Sequence, residues 1–440
     1  MSGGVFATTP RNCVLWGAAI FAASLGAFLW GIGSASEIYF DETWYVPAAR
    51  AWLKSGEMLH PEHPPLGKLI IAASLWLFGD NPLGWRAMSA LFGAITLVAV
   101  YFWTLALIDD LGAALWAAAL TFVNAVLFVQ ARIAMLDIFL MAFTSLALAF
   151  YTQSVKEPRP SRSLLYALAA GLSLGLAGAC KWSGFFLLFG LIAIQSMIGV
   201  MRLWRVRFDD PRPSDFYAPG ALPAWTPGTA FLALAVAPLS AYFLAYLPQI
   251  IHAGSIFEFV DSHERMFEVW AGHSADHLYK SLWYTWPFLW RPVWYLFEVK
   301  GRDAALWSAD NPAKAIVGLA NPVVVFAGEI AILVAIYRFL ARRELNSLIV
   351  AAAFLSQYLP WAANPKGLEF SYYFFPSVMC LGPAVALVFF RERSAWGPRA
   401  ALGLLAAAGV SFAFFLPILA AGIGVSPEDF ALRMWLPSWR

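Results

Sequence analysis

Residues 13–45 read CVLWGAAIFAASLGAFLWGIGSASEIYFDETWY, an apolar run that leads to a pair of acids. The run at 13–36 is long enough to cross the hydrocarbon layer of a bilayer, which takes roughly 20 residues of α-helix. Asp41 and Glu42 follow after a short connection, so two adjacent carboxylates stand at the membrane surface. The stretch predicts a membrane protein whose first span leads directly to a polar site.

The whole chain is far more apolar than a soluble protein. Of its 440 residues, 61% are hydrophobic and 13% are charged, whereas soluble domains carry about 25% charged residues. The net charge of +2 is too small to indicate nucleic-acid binding. Cys13, Cys180 and Cys380 lie in apolar surroundings without CxxC spacing, which favours neither a disulfide framework nor a metal knuckle. Lipid is therefore the expected solvent for most of the chain.

Apolar runs of span length recur along the sequence and predict an all-α polytopic bundle of about eleven transmembrane helices. Every second connection between the predicted spans is rich in arginine, and the positive-inside rule assigns these connections to the cytoplasm. The N-terminus then lies inside, and the acids of the first connection lie outside. The expected spans are 13–36, 83–107, 111–130, 133–152, 164–180, 183–201, 228–248, 315–338, 345–361, 372–390 and 399–421.

Two outer connections are long, 37–82 and 249–314, within a single transmembrane domain that covers 1–440. The first is predicted to contain an interfacial helix with Pro47 in its first turn and Gly56 at its end. The second is rich in Trp, Tyr and His, which is typical of an ordered surface rather than of a plain linker.

The acid pair allows two interpretations. Acids at the end of a span are often solvated boundary residues. Alternatively, one carboxylate faces a cavity at the membrane surface, next to Tyr45, and takes the proton from an alcohol that attacks a sugar carbon. Asp41 and Glu42 are both candidates for this role of general base.

Five basic side chains are expected at the same outer level as the acids. Each of them alone could simply reach towards lipid headgroups. Together beside a carboxylate base they describe a site for a lipid-linked phosphate, because they would neutralise the departing anion. The predicted phosphate-binding residues are His63, Lys68, Arg86, Arg132 and Lys181.

The second outer connection adds candidates for the acceptor or for the sugar. His273 and His277 have the spacing of a zinc-binding pair on a helix, but histidines among aromatic residues more often bind a polar ligand. The aromatic run at 284–298, with Trp286 and Arg291, either stacks on sugar or forms an interfacial belt. Tyr372 is expected to line the same cleft. No metal ligand set is assigned.

Seven motifs together resemble those of the protein O-mannosyltransferase family, membrane glycosyltransferases of the GT-C fold. They occur in the family's order and cover most of the chain, and HPPLGK with KWSG is the most specific combination. The motifs are FDExxY at 40–45, HPPLGK at 63–68, WRAMSALFG at 85–93, ARIAMLDIFL at 131–140, ACKWSGFF at 179–186, YxSLWYTWPFLWRP at 279–292 and FSYYFFP at 370–376.

The resemblance implies transfer of mannose from a polyprenyl-phosphate carrier to Ser or Thr hydroxyls of proteins, with inversion at the anomeric carbon. The family's catalytic Asp matches Asp41, its acceptor-contacting Glu matches Glu42, and its essential Arg matches Arg86. Eukaryotic members insert a soluble β-trefoil domain where this chain has only 249–314. The resemblance therefore implies a compact bacterial relative in the cytoplasmic membrane, with its site on the periplasmic face.

Two other functions stay open at this point. Enzymes that place aminoarabinose on lipid A share the fold, so a polyprenyl-phosphate-sugar transferase acting on a lipid or polysaccharide is the nearest alternative. A transporter would need ionisable groups or broken spans near the midplane and paired repeats, and this chain shows no repeat. No cofactor is expected, and a divalent metal is compatible with the motifs without being required by them. Nucleic acid is not an expected partner.

Overall fold

The computed structural model describes residues 7–203, 225–272, 277–301, 304–364, 368–391 and 397–440. These residues form an all-α membrane bundle with one β-hairpin, and nine of their helices are long and apolar enough to cross a bilayer. The chain is thus a multi-pass membrane protein. Its first half contains α1 (Pro10–Leu29), α2 (Glu42–Ser55), α3 (Leu66–Phe78), α4 (Pro82–Ile108), α5 (Leu111–Phe122), α6 (Val126–Gln130), α7 (Asp137–Lys156), α8 (Pro160–Cys180) and α9 (Gly184–Leu203).

The second half begins with a helix that is interrupted by one π-helical turn, Leu232–Val236. The hairpin follows, and helices of different lengths complete the chain. The elements are α10 (Pro227–Phe231), α11 (Ala237–Ala245), α12 (Leu247–Ala253), α13 (Glu258–Gly272), β1 (Val293–Glu298), β2 (Lys314–Gly318), α14 (Pro322–Arg342), α15 (Leu345–Tyr358), α16 (Phe375–Val378), α17 (Leu381–Phe390), α18 (Gly397–Phe415) and α19 (Pro427–Arg433).

Local sequence explains where these helices begin. Asn81 accepts from the N–H groups of Leu83 and Gly84 at the start of α4, and Asp110 caps α5 in the same way. Such side chains satisfy N–H groups that the first turn leaves without partners. Proline in the first turn then fixes φ for the helix, as Pro82 does in α4.

Three expectations about the elements need correction. The predicted span 111–130 is broken after α5, where Ala125 has a φ of 74° before α6 begins. The predicted span 315–338 starts as strand β2, and its helix begins only at Pro322. The interfacial helix does end at Gly56, which has a left-handed φ of 71°. It begins at Glu42, however, so Pro47 lies inside it rather than in its first turn.

The hairpin packs against the acid-bearing loop. Its strands β1 and β2 are antiparallel, with a register shift between Trp294 and Leu296. Tyr295, at this bulge, is buried and packs against Phe40 with 4.7 Å between ring centroids. The hydroxyl oxygen of Tyr295 accepts a hydrogen bond from Gln130. The bulge thus connects the hairpin both to the residue before Asp41 and to the end of α6.

Helix α8 packs closely against the π-helical turn and α11 through two small residues, Gly171 and Gly175, which lie one turn apart. A Cβ at Gly171 would collide with the carbonyl oxygen of Ala233, and a Cβ at Gly175 would collide with that of Pro238. Small residues at this spacing let membrane helices approach to backbone contact. The packing fixes the position of α8, whose last residue, Cys180, precedes Lys181.

Candidate active site

Glu42 and Arg86 form a fully buried ion pair between the first loop and α4. Arg86 donates from Nε to Glu42 Oε1 at 2.7 Å and from a terminal nitrogen to Oε2 at 2.8 Å. Both side chains are 0% exposed. The carboxylate of Glu42 also accepts from the N–H of Tyr39 and from the N–H of Ala134. This bidentate pair joins three separate parts of the chain.

The structure gives Arg86 a different role from the predicted one. A guanidinium has five N–H donors. In Arg86 two of them bind Glu42, and the other three bind the carbonyl oxygens of Ile32, Ala35 and Glu37. Arg86 therefore positions the loop before Asp41 and has no donor left for a phosphate. Glu42, engaged in the same contacts, likewise positions the loop in this structure.

Asp41 is the acid of the pair that stays available. It is half-buried at the start of α2, and its carboxylate makes no hydrogen bond or ion pair with the described residues. Phe40 before it has a φ of 50°, a left-handed conformation that is strained for a bulky residue and often marks functional sites. Burial raises the pKa of Asp41 to about 7, an effect that Lys181 opposes and Asp137 reinforces.

Lys181 and Asp137 form a second buried ion pair beside Asp41. The ammonium of Lys181 donates to both carboxylate oxygens of Asp137, at 2.9 and 2.8 Å. It also lies 5.4 Å from the ring centroid of Tyr372 and 5.6 Å from that of Tyr373. An ammonium has three N–H donors, so one donor of Lys181 has no acceptor among the described residues. Lys181 can therefore bind an anion without breaking its contacts to Asp137.

A cavity of about 450 Å³, hereafter the donor cavity, opens next to this ion pair. Its lining combines ionic and polar side chains with apolar and aromatic ones. A lining of both kinds suits an amphipathic ligand that has an anionic head and a hydrocarbon tail. The ionic and polar lining residues are Glu62, His63, Asp137, Lys181, Ser183, Gln357 and Asn364, and the apolar and aromatic ones are Leu140, Trp182, Phe186, Phe267, Val269, Trp361, Leu368, Tyr373 and Pro376.

His63 lines the donor cavity, where a phosphate-binding residue would have to lie. It was expected to be cationic, but its surroundings favour the neutral form. Its burial, with the charges of Lys181 and Lys68 nearby, holds the pKa of His63 well below its usual range. The imidazole is therefore neutral near pH 7 and can hydrogen-bond a ligand without adding positive charge. Tyr45 lies behind it, with 6.5 Å between the ring centroids, and is buried.

Two predicted phosphate ligands have structural contacts instead. Lys68 donates to the carbonyl oxygens of Leu59 and His60 and so holds the loop that leads to His63. Arg132 donates to carbonyl oxygens at the C-terminal end of α1, including those of Phe28 and Trp30. Neither lines the donor cavity. Cations at a helix C-terminus satisfy its free carbonyls and complement its dipole, which is the role of Arg132 here.

The residues predicted from the second outer connection separate into different places. His277 and Arg291 line another cavity near the C-terminal residues Ser438 and Arg440. Trp286 is buried and donates to Ser281, so its ring supports Trp361 and Tyr373 from behind rather than facing the donor cavity. Tyr372 is also buried, and it lies under the ammonium of Lys181.

Sequence reasoning missed Gln357 in the donor cavity. Its amide nitrogen donates to Ala353, and its buried Oε1 has no hydrogen-bond partner among the described residues. An unsatisfied buried acceptor costs free energy unless a ligand donates to it. A lone glutamine within an apolar helix was the available signal.

The zinc alternative gains no support from the described part of the chain. Within it, no group of three or more His, Cys, Asp or Glu side chains is placed to hold a metal ion. His273, the partner of His277 in the predicted pair, lies outside the described residues.

Comparison with known families matches most of this chain to one family. Residues 80–253 match dolichyl-phosphate-mannose-protein mannosyltransferase. Residues 255–439 match the C-terminal four-transmembrane region of protein O-mannosyltransferase.

One bacterial relative matches over most of its length, and two solved structures share the fold. Polyprenol-phosphate-mannose–protein mannosyltransferase of Mycolicibacterium smegmatis is 28% identical, over 91% of this chain and 87% of its own length. The fold matches the Saccharomyces cerevisiae protein O-mannosyltransferase complex bound to the sugar donor, with a TM-score of 0.77 at 14% identity, over 98% of this chain and 93% of that one. ArnT from Cupriavidus metallidurans bound to undecaprenyl phosphate gives a TM-score of 0.59 at 15% identity, over 91% of this chain and 65% of that one.

Proposed function

We propose that this chain, which belongs to the protein O-mannosyltransferase family, transfers mannose from a polyprenyl-phosphate carrier to Ser or Thr hydroxyls of proteins. A bacterial relative that matches most of this chain is named polyprenol-phosphate-mannose–protein mannosyltransferase. The observation that carries the proposal is an available carboxylate, Asp41, on which the charges of Lys181 and Asp137 act, two residues that line a cavity with both ionic and apolar side chains.

The proposed reaction is a single displacement. Asp41 accepts the proton of the acceptor hydroxyl while that oxygen bonds to the anomeric carbon of mannose. The bond between this carbon and the phosphate oxygen breaks, and polyprenyl phosphate leaves with the electron pair. The second pKa of a phosphate monoester is about 6, so the leaving group departs as an anion and no general acid is required. Inversion follows because only one carboxylate is engaged.

The other residues serve this step by position and charge. Lys181 is proposed to bind the phosphate with its remaining donor, and neutral His63 to hydrogen-bond it. The Arg86–Glu42 pair holds the loop that presents Asp41. Preorganised groups of this kind act without reorganisation during the reaction. The expectation that no cofactor is needed, with a divalent cation compatible, stays a prediction.

The location of the site is also part of the proposal. With the N-terminus inside, the arginine-rich connections lie in the cytoplasm, and the donor cavity opens on the opposite face of the membrane. We place the protein in a bacterial cytoplasmic membrane, with its site on the periplasmic side.

The proposed function is tested with purified protein in liposomes, labelled polyprenyl-phosphate-mannose and a short peptide that contains one Thr. We expect label on the peptide, and none on the matched peptide with Ala in place of Thr. Label on lipid or polysaccharide alone would favour the alternative transferase. Movement of the sugar across the bilayer without a covalent product would indicate a transporter.

The pKa of Asp41 predicts a pH dependence. A carboxyl with a pKa of about 7 is mostly protonated below that pH and then cannot accept the hydroxyl proton. We expect kcat/KM for the acceptor to fall about tenfold per pH unit below about 7 and to level off above it. The measurement is initial rate against pH with pre-bound donor. A rate that stays constant down to about pH 5 would contradict Asp41 as the titrating base.

Substitution of Lys181 has two expected effects. Lys181→Met removes a charge-assisted contact to phosphate, so KM for the donor should rise by about tenfold to a hundredfold. Because Lys181 also lowers the pKa of Asp41, the acidic limb of the pH profile should move to higher pH. Arg50→Met is the matched control, since it breaks an exposed ion pair with Asp80 outside the donor cavity. Equal effects in both variants would argue against phosphate binding by Lys181.

A further inference from the structure

A second cavity lies beside the catalytic loop on the side of the hairpin. It measures about 460 Å³ and is hereafter the hairpin groove. One wall is the connection between α1 and α2, residues 35–39, and the other is the end of β1, residues 296–299. None of these residues lines the donor cavity. The proposed reaction assigns no role to this groove.

The hairpin groove runs along a strand edge. A groove over one face of a strand would be lined by alternate residues, because successive side chains point to opposite faces. Four consecutive residues, 296–299, line this groove, and no residue of β2 does, so the groove follows the outer edge of β1. On the other wall, the N–H groups of Ser36, Glu37 and Ile38 donate no hydrogen bond among the described residues. A strand edge with free main-chain groups pairs readily with another extended chain. The connection on the other wall is not a strand, and its carbonyl oxygens at Ala35 and Glu37 accept from Arg86, so the outer edge of β1 is the one with which an extended chain would pair.

The groove extends to the residues that precede the proposed base in the sequence. Tyr39 lines it, two residues before Asp41, and the ring of Phe40 packs against Tyr295 of β1. Asp41 itself lines neither the hairpin groove nor the donor cavity, but it follows Tyr39 of the groove by two residues, and the charge of Lys181, in the donor cavity, acts on its carboxylate. A displacement with inversion needs acceptor and donor on opposite sides of the anomeric carbon, because the nucleophile and the leaving group occupy those two sides.

The charge of the groove restricts its ligand. Glu37 and Glu298 line it, and neither carboxylate forms an ion pair or a side-chain hydrogen bond with the described residues. No cation is present among the described residues that line the groove, although Lys314, the cross-strand partner of Glu298, and Arg86 donate to carbonyl oxygens of the connection that forms one wall. A segment with Lys or Arg near the target hydroxyl would complement this charge.

We propose that the acceptor polypeptide binds in the hairpin groove as an added strand along β1, with a cationic residue close to the modified Ser or Thr. This inference rests on the proposed function, since it names how that function's acceptor is recognised. Main-chain hydrogen bonds to β1 would bind acceptor peptides of many different sequences. The two glutamates, Glu37 and Glu298, would favour peptides that carry a cationic residue near the modified hydroxyl.

The test compares two peptides that contain one Thr and carry either Lys or Glu two residues from it. With wild-type protein we expect the Lys peptide to have the lower KM. Glu298→Lys and Glu37→Lys should raise KM for the Lys peptide by about tenfold and lower it for the Glu peptide. KM for the donor should not change. Glu57→Lys is the matched control, because Glu57 is exposed on the same outer connection and lines neither cavity.

A second measurement tests the strand itself. Peptides N-methylated at one amide each should lose affinity at alternate positions only, because alternate N–H groups of an added strand face β1. Loss at every position, or at none, would overturn strand addition. Peptide mannosylation without any charge dependence in the variants would overturn the groove while the proposed function stands. If wild-type protein uses the donor but modifies no peptide, the proposed function fails, and this inference fails with it.

Discussion

Asp41→Asn should lower kcat for mannosyl transfer by about three orders of magnitude, within the range typical for loss of a positioned general base. Asparagine has nearly the same shape but cannot accept the hydroxyl proton. KM for the donor should stay close to that of wild type, because Asp41 makes no contact that holds the phosphate-binding residues in place. The measurement is single-turnover transfer to a Thr peptide with saturating donor.

Folding of this variant should survive. The pKa of Asp41 is raised to about 7 in the folded protein, against about 3.9 in an unfolded chain. The folded state therefore binds more protons than the unfolded state between these values, and stability due to this group is lost as the pH rises towards 7. Above pH 7 the asparagine variant should melt at the same temperature as wild type or higher.

The control for Asp41→Asn is Asp261→Asn, which changes an exposed acid of the second outer connection. It should keep kcat within about twofold, because surface changes away from a site rarely matter. If Asp41→Asn keeps more than about a tenth of wild-type kcat while the control behaves as expected, Asp41 is not the base.

Arg86→Met should have the largest effect on stability of any single change considered. It leaves the carboxylate of Glu42 buried without its counter-charge, which typically costs about 3–5 kcal/mol. It also removes three hydrogen bonds to the carbonyls of the loop before Asp41. We expect a strongly lowered melting temperature in detergent and almost no transfer activity. Thermal unfolding followed by tryptophan fluorescence measures the first effect.

A double variant separates this role from phosphate binding. Arg86→Met with Glu42→Gln removes both charges, and the amide oxygen keeps one of the two bonds that the separate carboxylate oxygens of Glu42 accept from the N–H groups of Tyr39 and Ala134. It should regain much of the lost melting temperature but not the activity, because the loop is no longer held by the guanidinium. A single variant with wild-type stability and only weakened donor binding would instead support the role predicted from the sequence.

The sequence predicted the depth of these residues in the membrane better than it predicted the contacts of their side chains. Asp41 and Lys181 were recognisable because each ends an apolar run on the same side of the membrane. Hydropathy indicates how deep a residue lies, but it does not indicate where its side chain points. Arg86 and Arg132 lie at the predicted depth in the membrane. Their N–H groups, however, donate to carbonyl oxygens of the first connection and of α1. Depth in the membrane alone therefore could not distinguish a cation that binds a ligand from one that has only structural contacts.

The hairpin was missed for a related reason. Residues 315–318 are apolar and run towards the apolar helix α14, so hydropathy favours one continuous span. A short apolar run is ambiguous between strand and helix. The informative signal was Asn321 before Pro322, a cap followed by proline that marks the true start of α14.

The contacts of Glu42 also impose an order on biogenesis. The acid emerges early in synthesis, but its partners at Arg86 and Ala134 come later along the chain. The loop that carries Asp41 and Glu42 can therefore reach its final contacts only after the connection between α6 and α7 has been synthesised.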